Sequence, residues 1–145
     1  MAKHTAAKKA ARSTGSNLAF NHAMIYVQRV EPAVAFYSAL GFRVIEKVRG
    51  GNSPVYARLR APRGNSTIAL HLLGEGVNSV SAEGVRLYFE VKNLDALCRR
   101  LAASGIVFSQ MPKQMPWGWR HAYLKDPDGH EVSLYWAGAK RLRKS

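Results

Sequence analysis

Asp126-Pro127-Asp128-Gly129-His130-Glu131-Val132-Ser133-Leu134 closes the second of two stretches that repeat each other at an offset of 64 residues. Asn21-His22-Ala23-Met24-Ile25-Tyr26-Val27 aligns with Val85-Arg86-Leu87-Tyr88-Phe89-Glu90-Val91, and Leu40-Gly41-Phe42 with Ser104-Gly105-Ile106. Ile68-Ala69-Leu70-His71 falls on Val132-Ser133-Leu134-Tyr135 at the same offset. Ala61-Pro62-Arg63-Gly64 matches Asp126-Pro127-Asp128-Gly129 only at an offset of 65, so that turn differs by one residue between the copies. Two long copies are too few for a solenoid, which needs about three or more shorter units. They predict one pseudo-symmetric domain with a shared pocket at the junction.

Hydropathy gives both copies the same order of elements. Phe20 to Val27 alternates with period two and predicts a strand. Glu31-Pro32 opens a helix carried by Ala33, Phe36, Tyr37 and Leu40 and stopped by Gly41. Strands follow at Phe42 to Glu46, Val55 to Arg60 and Thr67 to Leu73, with loops at 50–54 and 62–65. After a Gly/Ser-rich linker at 74–84, the second copy reads strand Val85 to Val91, helix Leu94 to Ala103, and strand Val107 to Gln110. A Pro-bounded loop from Met111 to Pro116, strand Arg120 to Lys125, turn Asp126 to Gly129 and strand Glu131 to Trp136 complete it. The fold class is α+β, with two βαβββ modules at about 19–74 and 85–138.

The 145 residues suit one domain, able to bury roughly two thirds of its unfolded surface. The lone Cys98, inside a helix, forms no internal disulfide and points to a reducing, cytoplasmic setting. No apolar run reaches the roughly 20 residues of a membrane span. Of the 22 basic residues, four lie in residues 1–17 and four in 139–145, with no acid in either, leaving +5 of the net +13 on the body. Residues 1–18 read as a disordered basic arm and 139–145 as a basic tail. Such tails favour weak, salt-sensitive, non-specific nucleic-acid binding. The body has no helix-turn-helix, zinc-finger spacing or RNP-type aromatic motif.

Paired βαβββ modules ending in Asp-Pro-Asp-Gly-His resemble the vicinal-oxygen-chelate superfamily, which includes glyoxalase I, extradiol dioxygenases, fosfomycin-modifying transferases and bleomycin-resistance proteins. Phe20-Asn21-His22, Ala35-Phe36-Tyr37-Ser38-Ala39-Leu40-Gly41-Phe42 and Trp117-Gly118-Trp119-Arg120 carry the same likeness, over about residues 19–138. The resemblance implies strands curled into an incomplete β-barrel around one pocket, and modules often paired across a homodimer. It also implies up to four metal ligands, on the first and last strand of each module. By the repeat register these positions are His22, Ala69, Arg86 and Ser133. Only His22 is a fitting donor, because divalent metals in such sites take imidazole and carboxylate and Arg86 brings a fixed positive charge.

The expected reading is therefore a protein that binds a small anionic or aromatic molecule, with no metal and no cofactor. Alternation puts His22, Tyr26, His71, Arg86, Tyr88, Glu90, Glu131, Ser133 and Tyr135 on the pocket face. Trp117 and Trp119 are expected to close over a planar ligand, while Arg86 and Arg120 offer anchors for an anion. Glu90 is expected to pair with Arg86 or with a base on a neighbouring strand. His130 reads as a surface turn residue, Asp126 and Asp128 as shaping the turn, and Cys98 as structural.

Two other classes remain open. One is a glyoxalase- or dioxygenase-like metalloenzyme with shifted ligands drawn from His22, His71, Glu90 and Glu131, holding Zn, Ni, Mn or Fe. Two residues along a strand displace a donor by about 6.5 Å, so convergence on one ion is demanding. The other is a nucleic-acid-associated protein working through its tails. Nucleophile-elbow, phosphate-loop and Cys-x-x-Cys patterns are absent from the sequence.

Overall fold

Residues 16–77 and 80–143 are described by a computed structural model; the arm up to residue 15, residues 78–79 and residues 144–145 lie outside that description. The first copy consists of β1 (His22–Val27), α1 (Val30–Ala39), β2 (Arg43–Gly50), β3 (Ser53–Arg60) and β4 (Thr67–Leu72). The second consists of β5 (Arg86–Glu90), α2 (Leu94–Ala103), β6 (Phe108–Gln114), β7 (Arg120–Lys125) and β8 (Glu131–Trp136), followed by a 3-10 turn at Gly138–Leu142. Each copy folds into a four-stranded mixed sheet, ordered β1-β4-β3-β2 and β5-β8-β7-β6. The first and last strands of each module are parallel neighbours in the same register, His22 opposite Thr67 and Arg86 opposite Glu131.

The pseudo-symmetry extends to how each helix ends. In α1 the buried Val30, Ala33 and Tyr37 follow a helical stripe, with Pro32 in the first turn, where its missing N–H costs no bond. Gly41 takes φ +108°, and the Phe42 N–H donates to the Tyr37 carbonyl at 3.1 Å. In α2 Leu94, Cys98 and Leu101 form the stripe, Gly105 takes φ +105°, and the Ile106 N–H donates to the Leu101 carbonyl at 3.0 Å. Both closures use glycine because the left-handed conformation crowds a Cβ.

Two predicted loops are shorter than expected. The strands β2 and β3 run to Gly50 and from Ser53, leaving only Gly51-Asn52 between them. Met111 to Gln114, read as loop because of Pro112, belongs to β6. β6 is an edge strand whose pairing with β7 slips between Gln110 and Lys113, so a residue lacking an N–H breaks no ladder bond there. The 3-10 turn at Gly138–Leu142 follows β8 directly.

One face of each sheet is apolar, and both contribute to a single buried cluster that includes the two helices. Ile25, Val27, Leu59 and Leu70 come from the first module; Leu94, Leu101, Ala122, Leu124, Val132 and Leu134 come from the second. The Phe89 ring meets Phe42 at 5.1 Å and Tyr37 at 6.5 Å between centroids, joining the halves. A polar latch reinforces them. Buried Tyr37 Oη donates to Asp126 Oδ2 at 2.7 Å, and the Gln28 N–H donates to Asp128 Oδ1 at 2.8 Å. Asp126 also accepts from the N–H groups of Asp128 and His130 and from His130 Nδ1, so its carboxylate shapes the turn and ties it to α1. His130 is accordingly buried at 9% exposure rather than on the surface.

Candidate functional site

With the apolar faces turned into the core, period-two alternation leaves the polar and aromatic side chains on the opposite face of each sheet. The strand registers order them in rows. In module one the rows are His22-Thr67-Arg60-Arg43, Met24-Ala69-Arg58-Glu46 and Tyr26-His71-Tyr56-Val48. In module two they are Arg86-Glu131-Lys125, Tyr88-Ser133-Tyr123-Gln110 and Glu90-Tyr135-His121-Lys113. β1 and β5 end their sheets and do not pair with each other. A cleft of about 910 Å³ is lined by residues of both β1 and β5, where His22, Thr67, Arg86, Tyr88 and Glu90 meet the apolar Phe42, Leu87, Phe89, Leu97 and Leu134 at the edge of the core.

The module-one face is open and basic. His22 Nδ1 lies 2.7 Å from Thr67 Oγ1, and Arg58 pairs with Glu46 at 3.1 Å. His71 Nδ1 lies 2.7 Å from the Leu72 carbonyl, which can only accept, so Nδ1 carries the proton. The His71 ring sits against Tyr26 and Tyr56 at 5.4 and 6.1 Å.

The module-two face is aromatic and filled. Trp119, His121 and Tyr135 lie with their planes within 20° of parallel, and Tyr123 continues the series at 17° to His121. Tyr88 stands edge-on to His121 and Tyr135. His121 is 1% exposed and both ring nitrogens are engaged, Nδ1 with Ser133 Oγ at 2.8 Å and Nε2 with Trp117 Nε1 at 3.3 Å. An indole N–H is only a donor, so Nε2 is the acceptor and the Nδ1–H donates to Ser133. Burial pulls the His121 pKa below its ordinary value and raises those of Tyr123 and Tyr135, which favours a neutral imidazole among protonated phenols. His121 thus orients Ser133 as an acceptor and does not deprotonate it, so the pair is not arranged as nucleophile and base.

Several expected site residues have other partners. Arg86 Nε is 2.7 Å from Glu131 Oε2, with the Arg86 side chain 63% exposed. Glu90 does not pair with Arg86; its Oε2 accepts from the N–H groups of Ala137 and Gly138 at 3.1 and 2.8 Å, with Arg141 3.9 Å away. Arg120 is not an anchor on the pocket face. It alternates away from His121 and makes two 2.8 Å hydrogen bonds to Asp95 of α2, which hold the Asp95 carboxyl below the usual range. Cys98 is fully buried in α2, and desolvation pushes its thiol up to about 11.

Sequence reasoning missed His121, Tyr123 and Tyr56. A signal was available, because the tight turn at Asp126–Gly129 sets Lys125 opposite Glu131, and the antiparallel register then places Tyr123 on Ser133 and His121 on Tyr135.

The residues at the four positions that the resemblance implies as ligands are not a set that suits a divalent metal. Ala69 has no donor and is fully buried, Arg86 is cationic, and Ser133 is 1% exposed beneath His121. The shifted set is dispersed as well: Glu131 faces Arg86, Glu90 caps the 3-10 turn, and His22 faces Thr67. Among the described residues, no three His, Cys, Asp or Glu side chains gather as a metal site would require. No described helix is long and apolar enough to cross a membrane.

Two unclosed βαβββ modules, with matching registers and polar faces opposite a shared core, define an α+β fold of the vicinal-oxygen-chelate type. The model of the Glyoxalase/Bleomycin resistance protein/Dioxygenase superfamily matches residues 19–134, and the chain belongs to that superfamily. It is 29% identical over 139 residues to a lactoylglutathione lyase of Schizosaccharomyces pombe, an alignment covering 82% of this chain and 45% of that enzyme. The chain thus spans less than half of the relative's length.

Solved structures share the fold. A glyoxalase/bleomycin resistance protein/dioxygenase from Nocardioides superposes with a TM-score of 0.70 at 21% identity, covering 98% of this chain and 99% of that one. A superfamily member from Sphaerobacter thermophilus gives 0.66 at 26% identity, covering 83% and 98%. A lactoylglutathione lyase from Agrobacterium tumefaciens gives 0.65 at 19% identity, covering 87% and 97%.

Proposed function

We propose that this chain binds a small anionic aromatic molecule on the polar faces of its modules without a metal ion. What supports the reading is that three of the four positions the resemblance implies as ligands are Ala69, Arg86 and Ser133, one of them a cation. The Arg86 guanidinium forms an ion pair with Glu131, Nε lying 2.7 Å from Oε2, and its side chain, 63% exposed, is open to a carboxylate or phenolate. Tyr88, 46% exposed beside it, supplies ring contact and a hydroxyl.

The binding form in this reading is a homodimer. Among the described residues, β1 and β5 each leave one edge without a strand partner, and Phe20, Met24, Tyr26, Val85 and Tyr88 stand exposed on or beside them. Unpaired edges with apolar flanks favour strand addition, and a two-fold pairing of β1 with the partner's β5 covers both. The test joins metal analysis of the purified protein with calorimetric titration of indole-3-carboxylate before and after chelator treatment. The expected outcome is no stoichiometric Zn, Ni, Mn or Fe, unchanged binding, and a dimer mass in sedimentation. One-to-one metal uptake whose removal abolishes carboxylate binding overturns the reading.

A further inference from the structure

The charge of the folded body is concentrated in one hairpin. Residues 18–138 hold 14 basic and nine acidic residues, and six of the basic ones, Arg43, Lys47, Arg49, Arg58, Arg60 and Arg63, fall within residues 43–63 with Glu46 as the single acid. That stretch carries +5, and the eight basic and eight acidic residues of the rest cancel.

Position on the sheet turns the excess into a surface. β2 is the outer strand of the order β1-β4-β3-β2, exposed along its whole length and on the side away from β1. Arg43 lies directly opposite Arg60, a like-charge cross-strand pair that is unfavourable without a shared anion. Among the described residues, Arg43, Arg60 and Arg63 form no ion pair. Arg58, two residues from Arg60 on the same face, reaches Glu46 through one terminal nitrogen, and its buried Nε has no hydrogen-bond partner. Protection of an edge strand from aggregation asks for charge on the edge, and β6, the corresponding edge, has Lys113 alone. It does not account for two arginines on the inner strand β3.

The next position on that face of β3 is Tyr56, with His71 and then Tyr26 following across the sheet at ring distances of 6.1 and 5.4 Å. Arg60, Arg58 and Tyr56 thus stand at steps of about 6.6 Å along one strand. Cations followed by rings suit a chain of phosphates that carries flat bases. We propose that the β2–β3 face of module one binds single-stranded nucleic acid, with phosphates on Arg43, Arg60 and Arg63 and a base on Tyr56 and His71. A duplex engages only the cations, because its bases are stacked inside. This surface is separate from Arg86 and does not rest on the small-molecule reading.

Fluorescence anisotropy of the full chain with a labelled oligothymidylate, and with a labelled duplex of equal length, tests the assignment across a salt series. Arg43→Gln/Arg60→Gln/Arg63→Gln is compared with Arg29→Gln/Arg99→Gln/Arg100→Gln, which removes equal charge from exposed positions on the helix side. In the hairpin variant single-strand binding is expected to weaken about a hundredfold at about 0.1 M salt, with the log–log salt slope reduced by about 2. The helix-side variant should change by less than about threefold. Arg43→Gln alone should reduce the slope by about 0.7. Tyr56→Leu should lower single-strand affinity about tenfold at unchanged slope and leave duplex binding as it was. Equal losses in the two charge variants, or no loss in the hairpin variant, overturn the proposal, because binding then follows net charge or the tails. Duplex binding as tight as single-strand binding, with no effect of Tyr56→Leu, overturns it as well, and so does absence of single-strand binding by the unaltered chain at low salt.

Discussion

The two modules share backbone plan, register and helix closure, yet their polar faces have diverged. At the same place in each, the parallel strand pair carries His22 opposite Thr67 in module one and Arg86 opposite Glu131 in module two. One row further, Met24-Ala69 answers to Tyr88-Ser133. The turn before the last strand holds Ala61 in one copy and Asp126, with its four accepted hydrogen bonds, in the other. The apolar faces meet in one core and constrain each other; the polar faces are free of that constraint and can specialise. The scaffold is thus a property of one face of each sheet, and the chemistry of the other.

Making the second module resemble the first breaks the comparison most severely at Asp126. Asp126→Ala installs the residue of module one, orphans two backbone N–H groups and removes the partner of Tyr37 and His130. Urea denaturation is expected to show a loss of roughly 3–5 kcal/mol. A loss below about 1 kcal/mol would mean that the latch between the modules is ornamental.

The next contrast sets Ser133 against Thr67, each bonded to a histidine Nδ1. Ser133→Ala strands a buried imidazole N–H and should cost about 1–3 kcal/mol, whereas Thr67→Ala beside exposed His22 should stay within about 0.5 kcal/mol. Equal effects would remove the distinction between a filled and an open face.

The smallest effect concerns pH. Because burial holds His121 below its ordinary value of 6.5, the unfolded chain takes up a proton there that the native chain resists. This contribution makes stability fall as pH drops below about 6.5 and levels off below the native pKa. His121→Gln should reduce that slope by at most about 1.4 kcal/mol per pH unit. Denaturation curves at several pH values between 7.5 and 5 measure it, and an unchanged slope counts against the neutral, two-partner imidazole.

Much of the architecture was legible in the chain. The repeat offset, the glycines at 41 and 105 and the helical stripes are local signals, and each specifies its element through steric or hydropathic rules that act over a few residues. The loops at 50–54 and 111–116 were read too long, because Pro54 and Pro112 signal breaks in sequence while bulged pairings tolerate them. The candidate site was less legible. Arg86 and Arg120 read alike as cations near a pocket, but alternation sends Arg120 toward Asp95 on α2 and leaves Arg86 on the polar face.

By itself the sequence determined that two βαβββ modules form and which face of each strand is apolar. Tertiary structure decided the partners. Residues four apart on a strand are separated by about 13 Å, whereas neighbours across a sheet lie about 5 Å apart. Arg86 therefore takes Glu131 rather than Glu90, Glu90 turns to the backbone of Ala137 and Gly138, and His121 becomes the buried centre of the aromatic face. These pairings follow from register and packing across the sheet, which set distances that position along the chain does not.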